Sequence, residues 1–480
     1  MRGFYLLFLL FIYSVDVYAQ PPNYWSMGSN TESSILAGAV VGGGSGITSI
    51  YYNPAGISEL TDNKISLDAS LFHFNLTNYK KPFSPKGTID YLDYQVQPRF
   101  FSFVHHPKIY PKLSLQYAVF GKGRALTKLY DSGKYDVKEA GTNKEKTLIA
   151  DFNYENRYSD TWFGMGASYQ VNDNLALGMS LLISAKSLLY YEDVSIDLFA
   201  EVDTAQNSPV SKYLYLDRQD LYVISGIAKF GLSYNKGLWS LGLNISTPSL
   251  RFYGDGFHRR DVSMINVNTE DGLQPDFVKK ETNYHLVSNF KEPLAIAFGV
   301  VKENADKDLK LYFSTEYFFA IDDYKAIDNS RIANIYTDDY SPGSSFLTYI
   351  YGGDHVLNAA IGLKKVIGPN LAYMFGFKTN FSSYNIHAYD DPKGTAQYVR
   401  GYSNLFHLTS GIKFDYKKTN VLLGVEYTFG MKRDLYQFRN FKYSSLYDTH
   451  NYYAMQSYPK PEMNYIYNGI GFYFGLGFNF

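Results

Sequence analysis

Residues 467–480 read YNGIGFYFGLGFNF. In an extended chain, Ile470, Phe472, Phe474, Leu476, Phe478 and Phe480 fall on one face, and Gly471, Tyr473, Gly475, Gly477 and Asn479 on the other. A soluble protein gains little from ending on a strand whose whole face is apolar. Two roles explain it. Such a strand can close against the first strand so that no edge is left unpaired. Its terminal aromatics, here Phe474, Phe478 and Phe480, also suit the signal that a barrel-insertion machine reads.

The same period of two recurs upstream. In NVLLGVEYTFGMK, Val421, Leu423, Val425, Tyr427, Phe429 and Met431 oppose Leu422, Gly424, Glu426, Thr428 and Gly430. In LFHLTSGIKFDYK, Phe406, Leu408, Ile412 and Phe414 oppose His407, Thr409, Gly411 and Lys413. An apolar face backed by small, polar or charged residues is a strand signal. The repeated segments reach the ~9–11 residues that cross a tilted bilayer, beyond the ~5–6 usual in soluble sheets. Tight links at 171–174, 235–237, 367–370 and 417–420 alternate with polar stretches at 122–146, 253–279, 323–349 and 436–463. Short turns at one end and long loops at the other are the habit of outer-membrane barrels, and an even strand count returns both termini to the short-turn, periplasmic side. The expected fold is therefore an all-β transmembrane antiparallel barrel of about fourteen strands over 64–480. Its third strand is expected at 112–121 and its second at 97–107.

Composition agrees. Of 480 residues 18% are aromatic, while the mean hydropathy is −0.24 and the net charge −1. Mixed charge offers no field for nucleic acid. The absence of cysteine excludes disulfides, thiolate metal sites and a lipoprotein anchor. Tyr and Phe crowd the strand ends, as interfacial girdles require. At the N-terminus, Arg2, an apolar core from Phe4 to Tyr13 and a Val17–Ala19 end predict a signal peptide over 1–19.

Residues 20–63 lack alternation and carry the stretch LAGAVVGGGSGITSIYYNPAGISEL at 36–60. Glycine permits close backbone approach and positive φ, and Asn-Pro-Ala-Gly is turn chemistry. A compact hatch inside the lumen is the expected place for this segment. On Gly38, Gly42, Gly43, Gly44 and the YYNPAG run containing Asn53, Pro54, Ala55 and Gly56, the chain resembles the long-chain fatty acid transporter (FadL-like) family, which includes aromatic-hydrocarbon channels. The resemblance implies a fourteen-stranded barrel with an N-terminal hatch. It also implies a function in the outer-membrane bilayer, passive uptake of a hydrophobic small molecule that leaves sideways through the barrel wall beside the third strand, here KLSLQYAVFGKG. The family's docking groove uses two long loops; 253–279 is long here, whereas 201–211 is short and polar.

Other motifs carry less. The glycine run lacks the Gly-Lys-Ser/Thr ending of a phosphate loop. Ser410 and Lys413 have nucleophile spacing only on a helix, and on a strand they diverge. His105 and His106 are adjacent on a strand and do not share a metal. No catalytic residue, metal or cofactor is expected. Lys186, Lys229, Lys378 and Lys413, with Glu316 and Glu426, fall on faces read as lumenal. A self-neutralising polar interior accounts for them, and the sharper expectation is that one lysine meets a substrate carboxylate. A rival function for such a barrel is a secretion or surface-attachment partner, its Tyr-rich loop 436–463 binding protein.

Overall fold

The structure is a computed structural model that describes residues 23–25, 30–60, 64–84, 87–141, 144–200, 210–329, 345–384 and 402–479. The expected signal peptide, Phe480 and nearly all of 201–211 lie outside the described residues. Among the described residues, fourteen passes of strand follow one another around a single closed antiparallel sheet. They are β1 (Lys64–Lys80), β2 (Thr88–His105), β3 (Leu113–Lys138), β4 (Glu145–Gln170), β5 (Leu175–Ala200) and β6 (Ser211–Lys236). Four passes are broken in two: β7 (Trp239–Ser246, Leu250–Ile265), β8 (Phe277–Ser288, Ala295–Glu303), β9 (Leu309–Phe318, Ile321–Asp328) and β10 (Tyr349–Gly353, Val356–Gly368). The last four are β11 (Leu371–Asn380), β12 (Leu405–Tyr416), β13 (Thr419–Leu435) and β14 (Met463–Asn479). The sheet closes as the terminal aromatic strand requires: β14 pairs with β1 from Lys64↔Asn479 to Lys80↔Asn464.

Each strand sorts its side chains by face. Leu423, Val425, Tyr427, Phe429 and Met431 are exposed outward, whereas Leu422, Glu426 and Thr428 are buried inward. Phe472 and Phe478 likewise point out. Exposed Leu, Ile, Phe and Val continue around β5, β7, β8, β9 and β12, while Tyr169, Trp239 and Tyr416 stand exposed at the short-turn ends. An apolar outer band with aromatic margins is the surface a bilayer demands.

The strand boundaries depart from the sequence reading in one systematic way. The expected loop 122–146 is mostly strand: β3 runs on to Lys138 and β4 begins at Glu145, each 26 residues long. At ~3.3 Å per residue such a strand measures ~85 Å, far beyond what the hydrocarbon needs. Above the membrane neither face has to be greasy, so the apolar half of the alternation vanishes from KLYDSGKYDVK while the ladder continues. For the same reason residues 253–265 and 323–328, expected as loop, are strand, and β2 starts at Thr88 rather than 97.

Candidate functional site: inner segment, open seam and apolar cluster

Residues 30–60 lie inside the sheet. Helix α1 (Thr31–Ile35) is capped by Asn30, whose Oδ1 accepts from Ser33 N at 2.9 Å. A 3₁₀ turn (Gly46–Thr48), helix α2 (Ser49–Tyr52) and a second 3₁₀ turn (Pro54–Glu59) follow. Gly38 and Gly44, at φ +76° and +71°, take the left-handed turns that a side chain would oppose.

Asn53 ties this segment to the wall. Its Nδ2 donates to Val41 O within the segment (2.9 Å) and to Leu232 O of β6 (3.0 Å), while Oδ1 accepts from Ala55 N (3.1 Å). Asparagine suits this place because one short side chain supplies two donors and an acceptor. Pro54 opens the following turn, where its missing N–H costs nothing. Ser168 of β4 donates to Ala55 O at 2.8 Å. On β3, Gln116 donates to Ile47 O and accepts from Ile50 N at 3.2 Å.

The wall is shaped to receive the segment. A Cβ at Gly242 would lie 1.9 Å from Val41 O, one at Gly299 2.2 Å from Gly42 N, and one at Gly178 2.3 Å from Ala55 N. Gly42 itself sits backbone to backbone on β8, its own Cβ position 2.5 Å from Val300 N. Gly43 faces Ser240 and Gly56 faces Ser45 and Ser49. At the short-turn end, Glu32 of α1 pairs with Lys364 (2.7 Å) and Lys413 (3.4 Å).

One seam of the barrel is incomplete. β2 and β3 pair only from Phe100↔Phe120 to His105↔Leu115. Beyond that, among the described residues, Thr88–Pro98 of β2 pairs with β1 alone and Gly121–Lys138 of β3 with β4 alone. A β-bulge between Gly121 and Gly123 marks the parting point, and β1 carries register shifts around Asp68–His73. A bulge bends its strand and ends pairing locally. Pro98, with no amide to donate, stands just past the last pair. The six paired residues span ~20 Å of strand, or ~15 Å of height at a tilt of ~40°, and the apolar band of such barrels is ~25 Å tall. The seam therefore parts at the depth of the hydrocarbon.

Behind it lies an apolar cluster. Phe100, Ala118, Phe120, Trp162, Leu182 and Ile227 from the wall bury against Ile47 and Ile50 of the inner segment. Tyr51 joins them edge-on to Phe120 (5.5 Å between centroids) and to Trp162 (5.9 Å). Above the cluster Lys122, the extra residue of the bulge, lies 4.7 Å over Trp162 and pairs with Glu292 at 2.8 Å. Glu292 sits in the break of β8 and also holds Lys186; Asp160 beside them accepts from Ser184 at 2.6 Å. The outer mouth is packed with aromatics. Phe438 and Phe441 from the 436–462 connection bury against Phe83, Phe152 and Tyr154, and Arg439 pairs with Glu192 at 2.8 Å.

The four lumenal lysines fare differently. Lys186 is neutralised by Glu292 and Lys413 by Glu32. Lys378 lies across from His407, which pairs with Glu426. Lys229 makes no ion pair among the described residues, and its ammonium rests 4.5 Å over the Tyr51 ring. Ser410 turns to the Tyr373 hydroxyl (3.0 Å) while Lys413 turns to Glu32, so the two diverge as strand geometry predicts. Sequence reasoning missed Gln116, Lys122, Glu292 and the wall glycines. The last had a legible signal: ALGMS, LGLNI and AFGVV each place a glycine in mid-strand a few residues from a tight turn.

No family model matches the chain, and no curated protein matches it in sequence. Solved structures do. A FadL homologue from Pseudomonas aeruginosa aligns over 97% of this chain and 100% of that one, with TM-score 0.56 at 9% identity. The toluene transporter TodX of Pseudomonas putida aligns over 97% and 99%, TM-score 0.54 at 13% identity. The CymD monoaromatic hydrocarbon channel aligns over 95% and 98%, TM-score 0.50 at 14% identity. With the closed sheet, the enclosed N-terminal segment and these likenesses together, the chain has the FadL-like outer-membrane barrel fold.

Proposed function

We propose that this protein is a passive outer-membrane channel for hydrophobic small molecules, with residues 30–60 acting as its hatch, both termini periplasmic, and the β2–β3 seam as a lateral exit into the bilayer. The observation that carries this reading is the conjunction of an unpaired seam at membrane depth with a buried apolar cluster directly behind it, lined by the inner segment. The energetic case is simple. A greasy solute gains nothing in a wet axial pore, where each Å² of apolar surface kept in water costs about 25 cal/mol. A path that passes from the cluster to lipid keeps it dry. Open strand edges in hydrocarbon are costly because unpaired amides cost several kcal/mol each, so a seam of this length argues for use rather than neglect.

The names of the structural neighbours support a hydrophobic cargo for this chain. The Tyr-rich 436–462 connection folds down into the mouth through Phe438, Arg439 and Phe441, which supports a gated channel over a protein-binding loop. The test is uptake of toluene and of decanoate by vesicles containing the purified full chain. Uptake well above that of protein-free vesicles supports the reading; equality with them refutes it.

A further inference from the structure

The upper halves of β6 and β7 pair with each other well clear of the hydrocarbon, and they hold a charge cluster that the channel reading leaves unused. His258 of β7 is fully buried, and both of its ring nitrogens meet acceptors: Nδ1 lies 2.8 Å from Leu347 O and Nε2 2.8 Å from Asp217 Oδ1. Asp217 is not the donor. Burial by itself raises its carboxyl, but Arg260 and His258 hold it well below the usual carboxylate range. Its oxygens also accept from Arg260 Nη2 (2.7 Å), Gln219 Nε2 (3.1 Å) and the Tyr215 hydroxyl (3.2 Å). A neutral imidazole has one N–H, so two acceptors are answered only by the imidazolium. The other charges around the ring balance among the described residues. Besides Asp217–Arg260 there is Glu192–Arg439, joining β5 to the mouth connection, where Glu192 also takes the Tyr190 hydroxyl; on β8, Lys279 lies 3.8 Å from Glu281, and uncharged Asn283 stands opposite His258. In such a set an imidazole's proton is the one charge that modest pH changes remove.

What the ring holds is a strap across the mouth. Leu347 ends a 3₁₀ turn (Ser345–Leu347) that leads into β10, and Arg260 Nη1 donates to the neighbouring Phe346 O at 2.5 Å. The Phe346 ring lies 4.3 Å from the Lys279 ammonium, 5.3 Å from the Arg260 guanidinium and edge-on to Tyr452 of the 436–462 connection (5.2 Å). The strap thus ties the wall to the side chains that fill the mouth. We infer that His258 is a proton-controlled latch on this strap: the imidazolium fastens residues 345–347 to β7 and keeps the outer mouth packed, and the neutral ring lets them loosen. On losing its proton the ring keeps its N–H for the carboxylate, the stronger acceptor, and Leu347 O is left facing a lone pair in a dry site. The fastened state binds the proton more tightly than the loosened one, so fastening weakens as pH rises. Arg260 still holds Phe346 O, which confines the change to the strap and leaves the wall paired. The latch does not depend on what the barrel carries.

The experiment follows backbone amide exchange of residues 345–353 in the detergent-solubilised full chain at about pH 5.5 and about pH 8.5, on either side of the ordinary imidazole range. Each rate is divided by the intrinsic rate of an unstructured chain at that pH. The expected result is that protection across 345–353 falls about tenfold or more at the higher pH, as the loss of one buried hydrogen bond requires, while protection of residues 177–183 in β5 does not change. His258→Gln, with no proton to lose, should protect 345–353 equally at both pH values. Equal protection at both pH values in the unaltered chain overturns the latch. A fall of the same size in His258→Gln overturns it too, since the response would then belong to another group. Retention of heat-modifiable electrophoretic mobility shows that the variant has folded; should His258→Gln fail this check, His258→Asn takes its place, and the pH response of the unaltered chain decides the matter by itself.

Discussion

Replacing Gly242 with alanine tests how the hatch is held. The added Cβ would meet Val41 O at 1.9 Å, where ordinary contact begins near 3.4 Å, so the segment around Val41 must retreat by about 1.5 Å. Val41 cannot retreat freely, because its N–H donates to Ser314 Oγ (3.1 Å) and its carbonyl accepts from Asn53 (2.9 Å). Overpacking against backbone costs about 1–3 kcal/mol, and disturbing one buried hydrogen bond adds about 1 kcal/mol. A total of about 2–4 kcal/mol corresponds to roughly 30- to 1,000-fold in a local opening equilibrium. Amide hydrogen exchange across residues 35–56 should accelerate by that factor in the detergent-solubilised protein. Gly368→Ala is the control, since nothing lies within 4 Å of its added Cβ, and it should change stability by less than about 0.5 kcal/mol. Equal exchange in both variants would refute the claim that wall glycines seat the hatch.

Three further outcomes follow from named contacts. Asn53→Ala removes two donors and a cap, leaving Val41 O and Leu232 O unanswered, and should loosen the hatch by about 2–4 kcal/mol in the same exchange measurement. Glu192→Gln leaves the Arg439 guanidinium buried without its counter-charge; at about 3–5 kcal/mol for a broken buried pair, the 436–462 connection should become sensitive to protease added outside intact cells. Glu32→Gln should do little, under about 1 kcal/mol by thermal unfolding, because its pairs with Lys364 and Lys413 are partly solvated.

Much of the barrel could be read from residue order because its physics is local. Leu423, Val425 and Phe429 announce a lipid face, and Glu426 between them an enclosed one. The reading failed where the solvent changed: Lys122–Lys138 has lost its apolar face yet remains paired, and nothing within those residues says that a ladder goes on above the membrane. The hatch motif was legible as turn chemistry around Asn53–Gly56, but its partners Gly178, Gly231 and Gly242 come from distant strands. The seam was not legible at all. It arises because β2 and β3 stop pairing at Phe100 and Phe120, a matter of register between strands; Gly121 and Gly123 hinted at irregularity without giving its extent. Likewise, only the positions of Glu292 and Glu32 show that Lys186 and Lys413 are already neutralised.

The lateral exit can be tested at a single atom, because the chain has no cysteine of its own. Gly121 stands at the foot of the seam with no atom within 4 Å of an added Cβ, so Gly121→Cys can be made and then loaded with a bulky maleimide. Vesicle uptake of decanoate should fall about tenfold or more on labelling, while labelling Gly368→Cys should leave it unchanged. Uptake through labelled Gly121→Cys at the unlabelled rate would contradict a sideways path through this wall.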